Sequence, residues 1–276
     1  MEMKTAQPYA FIHIPKTAGS TLRHILRRTY GARHCDLKVP RGRRDEREWI
    51  SARDITLSRW IYPRLAGVCG HRVTCFSGMD TARLQFRYLT MLRDPKARFI
   101  SHFHHTYRGR TRTCTIEHLK EFADDPNMQN LQSRWICGQA HAERAIETLE
   151  STIDLVGLTE RFDETLLMMA DWLQLPDNDL CYRPRNRAHS TAQLRYTDPE
   201  LDAIITAANT EDLKLYHHAQ TVRFPTQLNQ LSGNAELRLH AFKDANAVLA
   251  RETRESLFAR AKRSLIYKPV LHLARA

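Results

Sequence analysis

A lysine, a glycine and a set of hydroxyls stand together at Lys16-Thr17-Ala18-Gly19-Ser20-Thr21, directly after the apolar run Phe11-Ile12-His13-Ile14 and the strand-stopping Pro15. The spacing of Leu22, Ile25 and Leu26 predicts a helix that begins near Gly19 or Ser20. The unpaired N–H groups of its first turn and the positive end of its dipole then converge on the loop, where Lys16 adds a full charge. That is chemistry for a phosphate or sulfate. The order differs from the ATP-type loop, Gly-x-x-x-x-Gly-Lys-Ser/Thr, because here the lysine precedes the glycine. A second constellation is Arg93-Asp94-Pro95 with Arg98, Phe99 and Ser101. Asp94 suits a helix N-cap and Pro95 a first turn, so Arg93 closes a strand while Ser101 lies two turns into the following helix. A guanidinium fork and a hydroxyl suit a terminal phosphate. Between the two motifs, Leu65-Ala66-Gly67-Val68-Cys69-Gly70 reads as a buried strand that ends in His71.

Taken in this order, the motifs resemble those of the sulfotransferases that use 3'-phosphoadenosine 5'-phosphosulfate (PAPS), in the branch related to carbohydrate 2-O-sulfotransferases. The first matches the family's 5'-phosphosulfate loop, Pro-Lys-Thr-small-(Gly or Ser)-(Ser or Thr), and the second its 3'-phosphate motif, Arg-Asp-Pro-x-x-Arg-Phe-x-Ser. The resemblance implies that Lys16, Thr17, Ala18, Gly19, Ser20 and Thr21 hold the 5' groups, and that Arg93 and Ser101 hold the 3'-phosphate. It also implies that His71, in a Gly-His at a strand end, is the general base, with Lys16 as the other catalytic residue. It extends over about residues 8 to 219. Val156-Gly157-Leu158-Thr159-Glu160 with Phe162 is similar to a further family segment, and Asp212-Leu213-Lys214-Leu215-Tyr216 to the end of the catalytic domain. Glu160 has two readings there, an orienting contact to a site residue or a helix-entry carboxylate. The basic stretch 182 to 197 is similar to the family's late loop, which points to Arg185 and Arg187 as nucleotide or acceptor contacts.

Composition sets the frame for these residues. A chain of 276 residues, 42% hydrophobic and 26% charged, is long enough for one well-filled α/β core. With 42 Lys and Arg against 31 Asp and Glu, the net charge of +11 favours an anionic partner without choosing among nucleotide, acidic glycan, nucleic acid and membrane surface. The six cysteines form no Cys-x-x-Cys pair or zinc-spaced cluster and read as reduced thiols, so no metal is expected. No apolar run reaches the length of a membrane span, and the first strand begins within about ten residues, which leaves no room for a signal peptide. A cytoplasmic protein is expected, unlike the Golgi-anchored animal carbohydrate sulfotransferases.

The elements that position these groups follow from periodicity. The strands at 11–14, 65–71, 86–92 and 154–160 alternate with helices near 20–30, 96–107, 115–123, 130–137, 141–152, 163–173 and 198–219. The expected fold is α/β, with a P-loop-like central parallel sheet flanked by helices and a C-terminal helical extension. Residues 1–222 form the sulfotransferase domain and 223–276 the extension. Residues 32–53 read as a basic, Pro/Gly-interrupted segment, either a solvated loop or an acceptor-facing one. The helical stretch 235–264 reads first as a helix packed on its own domain and second as a partner or membrane-surface helix.

The expected activity is transfer of a sulfuryl group from PAPS to a hydroxyl, with a glycan or glycolipid as acceptor and no nucleic-acid partner. Two readings from other classes stand beside it. A nucleotide kinase would use the same strand-loop-helix but lacks the Gly-Lys-Ser/Thr order, and a non-catalytic polyanion-binding module would explain the charge without either motif.

Overall fold

The computed structural model describes residues 7–38, 49–81, 84–107, 114–183, 199–249 and 256–273. Five strands, β1 (Tyr9–Ile12), β2 (His34–Asp36), β3 (Gly67–Gly70), β4 (Arg87–Leu92) and β5 (Ile153–Leu158), form one sheet in the order β2-β3-β1-β4-β5. Every pairing is parallel, with Phe11 opposite Cys69 on one side and Leu89 on the other. Both faces are covered, and for this reason the strands are almost uninterrupted runs of buried residues.

The path of the chain locates the site. From β1 it runs through α1 (Gly19–Tyr30) to β2 at one edge, returns through α2 (Ala52–Ile61) to β3, and only then crosses β1 to reach β4. The strand order reverses around β1, so the segments after β1, β3 and β4 open side by side at the carboxyl ends. Ligands of open α/β sheets bind at such a place. Helix α1 turns Leu22, Ile25 and Leu26 to the sheet, as their spacing predicts, and places Arg27 and Arg28 in its last turn.

Helices α3 (Pro95–Tyr107), α4 (Ile116–Asp124), α5 (Leu131–Cys137) and α6 (Ala142–Ser151) lead to β5, and α7 (Phe162–Leu173) follows it. Then come α8 (Pro199–Ala207), α9 (Thr210–His218), a π-helical stretch Ala219–Arg223 and α10 (Phe224–Leu228). The single helix expected over 198–219 is therefore two. Asn209 Nδ2 donates to the Ile205 carbonyl (2.8 Å) at the break, and Asn130 N–H takes the Ala208 carbonyl (3.0 Å). Strand β1 also ends two residues earlier than expected, because Ile14 N–H turns back to the Ile12 carbonyl (3.2 Å). Short β2 and helix α2 occupy part of the stretch read as a basic loop, of which residues 39–48 lie outside the described residues.

Beyond residue 223 the chain lies on the same core. Gln227 accepts from Val156 N–H (3.2 Å) and donates to the Asp154 carbonyl (3.0 Å), and Arg223 donates to the Ile153 carbonyl (2.9 Å). Helix α11 (Ala235–Leu249) buries Phe242, and its Arg238 pairs with Asp171 (2.9 Å) and Asp177 (2.6 Å). Helix α12 (Leu257–Ala261) continues through a π-helical stretch, Lys262–Tyr267, into α13 (Lys268–Leu273). There Tyr267 meets Tyr62 edge-on at 5.5 Å, Lys262 lies over the Tyr62 ring at 4.4 Å, and Arg263 reaches Asp36 of β2 at 3.8 Å. No helix among the described residues is long and apolar enough to cross a membrane.

Candidate active site

The loop after β1 takes a shape that costs energy. Lys16 (φ 72°) and Ala18 (φ 59°) both occupy the left-handed region although neither is glycine, at about 1 kcal/mol or more each. The Thr17 hydroxyl offsets part of this by donating to the Ile14 carbonyl (3.0 Å), so it is spent on the loop's own shape. Gly19 is required by packing: a Cβ there would lie 2.0 Å from Cδ2 of His13. Helix α1 carries no acidic residue in its first turn, and Ser20 sits half-buried there beside the buried Thr21. Amides, two hydroxyls and a lysine thus stand at a positive helix end with no carboxylate in that turn, which suits an anion.

The turn after β4 is tied to that loop. Arg93 Nη1 donates to the Lys16 carbonyl (3.1 Å), so the two motifs meet. Asp94 caps α3 as expected, accepting from Ala97 N–H (2.8 Å). Three residues from elsewhere hold the turn. Gln132 accepts from Arg93 N–H (2.9 Å) and donates to the Arg93 carbonyl (2.9 Å). Fully buried Asp212 in turn accepts from the N–H groups of Gln132 (2.9 Å) and Ser133 (2.8 Å) and from the Ser133 hydroxyl (2.8 Å). Glu160 accepts from Asp94 N–H (3.0 Å) and from the Tyr216 hydroxyl (2.9 Å), and it also stands in the first turn of the 3-10 stretch Thr159–Arg161 that leads into α7, so it has both an orienting contact and a helix-entry position.

Helix α3 then presents Ser101, half-buried, next to two unusual neighbours. Arg98 is fully buried, yet its Nε and Nη2 have no hydrogen-bond partner, while Nη1 stands 3.5 Å from His102 Nδ1. Burial pulls the Arg98 guanidinium down to about 10. Burial, followed by the charges of Arg98 and Lys16, lowers His102 to about 3, so its imidazole is neutral. A buried guanidinium with unsatisfied donors fits the terminal phosphate expected here.

His71 closes the third side, at the end of β3. The His13 carbonyl can only accept, so His71 Nδ1 carries the proton in its 2.8 Å bond, and Nε2 keeps its lone pair. The two imidazoles pack at 4.0 Å, and Trp135 Nε1 donates to the His71 carbonyl (2.8 Å). Although the residue is exposed, desolvation of the ring lowers the His71 pKa, and Arg23, Arg72 and Lys38 add to this. His13, buried beneath, is lowered further by burial and by His71 itself. At neutral pH both rings are uncharged, as a resting general base requires.

The structure therefore brings Lys16, Thr17, Ala18, Gly19, Ser20, Thr21, His71 and Arg93 to one end of the sheet, with Ser101 on the adjoining helix. Arg185 and Arg187 lie outside the described residues. Sequence reasoning did not find Gln132, Arg98 as an orphaned donor, or His102. The Arg-x-x-x-His spacing of the last two on α3 was the one available signal. Among the described residues no group of three or more His, Cys, Asp or Glu is placed to hold a metal ion.

The parallel sheet with helices on both faces agrees with an α/β sulfotransferase fold, and the family model for the sulfotransferase family matches residues 3–257. The chain belongs to that family. It is 30% identical over 118 residues to human heparan-sulfate 6-O-sulfotransferase 2, covering 37% of this chain and 19% of the relative. It is 29% identical over 237 residues to bovine galactosylceramide sulfotransferase, covering 75% of this chain and 55% of the relative. The chain thus spans from about a fifth to about half the length of these curated relatives. They carry 6-O-sulfotransferase and glycolipid names, so the kinship lies with carbohydrate sulfotransferases at large, and the 2-O branch is not singled out.

Proposed function

We propose that the protein transfers a sulfuryl group from PAPS to a hydroxyl of a saccharide, in a glycan or a glycolipid. The observation that carries this reading is the Arg93 Nη1 to Lys16 carbonyl bond, which joins the two motifs at one end of the sheet, where β3 also brings a neutral His71. PAPS supplies the sulfuryl group and an oxygen on which charge grows as it departs. Lys16 neutralises that charge, and the amides from Thr17 to Thr21, with the Ser20 and Thr21 hydroxyls, hold the 5' groups. Arg93 and Ser101, with Arg98 behind them, hold the 3'-phosphate. His71 Nε2 takes the acceptor proton as the acceptor O–S bond forms and the S–O bond to the 5'-phosphate breaks, a contribution of about 10²- to 10⁴-fold.

The scheme uses no metal. In it residues 1–222 carry the chemistry, while residues 223–276 buttress the sheet. Incubation with radiolabelled PAPS and a panel of glycans, glycolipids and phenols tests the reading: label should pass to a saccharide. Magnesium-dependent turnover of ATP with no sulfation of any acceptor would sink it.

A further inference from the structure

One side of His71 is built from aromatic rings that the scheme above does not use. Trp135 donates to the His71 carbonyl at 2.8 Å, and its ring meets Trp49 edge-on at 5.4 Å. Trp49 also meets Phe76 edge-on at 5.3 Å, and the Arg72 guanidinium lies over Trp49 at 5.5 Å. Ile50 N–H donates to the Arg72 carbonyl (2.9 Å), which pins the Trp49 segment beside the residue that follows His71. Phe76 is 38% exposed and both tryptophans are half-buried, so this is an open platform and not a closed core.

Among the described residues, the charged groups that act on His71 are cations. Arg23, Arg72 and Lys38 are the charged groups that act most strongly on His71. Arg23, on the second turn of α1, holds a buried Nε with no hydrogen-bond partner. Asp36, the carboxylate that reaches Lys38 and His13, is already paired with Arg27 (2.5 Å) and His34 (3.4 Å) and so does not cancel these cations. Flat apolar rings suit the C–H face of a pyranose, and guanidinium groups suit a carboxylate or sulfate.

We propose that Trp49, Phe76 and Trp135, with Arg72, Arg23 and Lys38, form an acceptor subsite that takes a saccharide carrying an anionic group close to the hydroxyl presented to His71. This rests on the sulfotransferase reading for its reaction, but not for its binding. It favours acidic glycans over neutral glycolipids, because a neutral headgroup would leave the cations unpaired.

The test is calorimetric titration of the full chain, saturated with 3'-phosphoadenosine 5'-phosphate, with a heparin-derived tetrasaccharide and with neutral cellotetraose. The wild type should bind the anionic sugar at least about tenfold more tightly. Arg72→Ala should remove most of that preference, while Trp49→Ala should weaken both sugars about tenfold. Arg72→Lys and Trp49→Phe should restore part of each loss, and they decide the matter where an alanine variant fails to fold. An unchanged thermal shift with 3'-phosphoadenosine 5'-phosphate certifies each variant's nucleotide site. Equal affinity for the two sugars, no binding of either, or affinities indifferent to Arg72 and Trp49 would overturn the subsite. If anionic selectivity persists and depends on Arg72 while no PAPS-dependent transfer occurs, the subsite stands and the sulfotransferase reading falls.

Discussion

Gln132 grips the backbone of Arg93 from both sides, its side-chain oxygen on the N–H and its side-chain nitrogen on the carbonyl, each at 2.9 Å. The fork at the end of β4 is thus aimed by a residue thirty-nine positions away. Gln132→Ala leaves two partly buried peptide groups unpaired, at about 1–3 kcal/mol each. We expect a lower melting temperature and a selective loss of affinity for the 3'-phosphate. Comparing 3'-phosphoadenosine 5'-phosphate with 5'-AMP by thermal shift checks this, and equal losses for both nucleotides would show that Gln132 does not aim Arg93.

Arg93 itself should decide between the two nucleotides. In the wild type 3'-phosphoadenosine 5'-phosphate should raise the melting temperature well above the shift from 5'-AMP, by ordinary binding linkage. Arg93→Ala should abolish most of the difference, because neither water nor a lysine replaces a bidentate fork.

Arg98 should behave in the opposite way in the empty protein. Its guanidinium is fully buried with Nε and Nη2 unpaired, a standing desolvation cost. Arg98→Met should leave the unliganded chain as stable as before or more stable, by about 1 kcal/mol or more. The same change should reduce the stabilisation from 3'-phosphoadenosine 5'-phosphate. Urea titrations with and without the nucleotide separate the two effects, and a large loss without ligand would show that Arg98 is structural.

In the proposed scheme Lys16 serves the leaving group and His71 the acceptor hydroxyl. Lys16→Ala should slow transfer to every acceptor, since charge develops on the departing group whatever attacks. His71→Ala should lose most activity with sugar hydroxyls and less with a phenol, whose proton leaves more readily, while nucleotide binding survives. Because desolvation lowers the His71 pKa, kcat/KM for a sugar should rise with pH through a midpoint below the ordinary imidazole value of 6.5 and then level off. A midpoint above that value would point to another base.

Acid should unfold the protein through its neutral imidazoles. His102 has a folded pKa of about 3 against an ordinary 6.5, so below pH 6.5 the unfolded chain binds the extra proton and stability falls as pH falls. Between pH 6.5 and pH 5 that single group accounts for about 2 kcal/mol. His102→Gln should flatten the dependence, as read from urea midpoints at the two pH values.

The residues legible in advance were those whose neighbours in sequence are also neighbours in space. The Lys16 to Thr21 loop and Asp94 sit where an element begins, and Ser101 lies two turns into the helix that Asp94 caps, so local spacing is enough to place them. Gln132, Asp212 and the bond of Glu160 to Asp94 were not legible, because their bonds span 39, 79 and 66 residues. Strand β2 escaped for a different reason: His34-Cys35-Asp36 is too short to show a period, and pairing with β3 alone makes it a strand.

The residues after Thr221 have a consequence for solubility. An open parallel sheet ends in two rows of peptide groups that invite a strand from another molecule. Here Gln227 and Arg223 occupy the outer N–H and carbonyl groups of β5, while Lys262, Arg263 and Tyr267 crowd the flank of β2. The chain's last fifth thus acts as a pair of guards on the sheet's borders, and a protein shortened to its chemical part would be expected to add strands to itself.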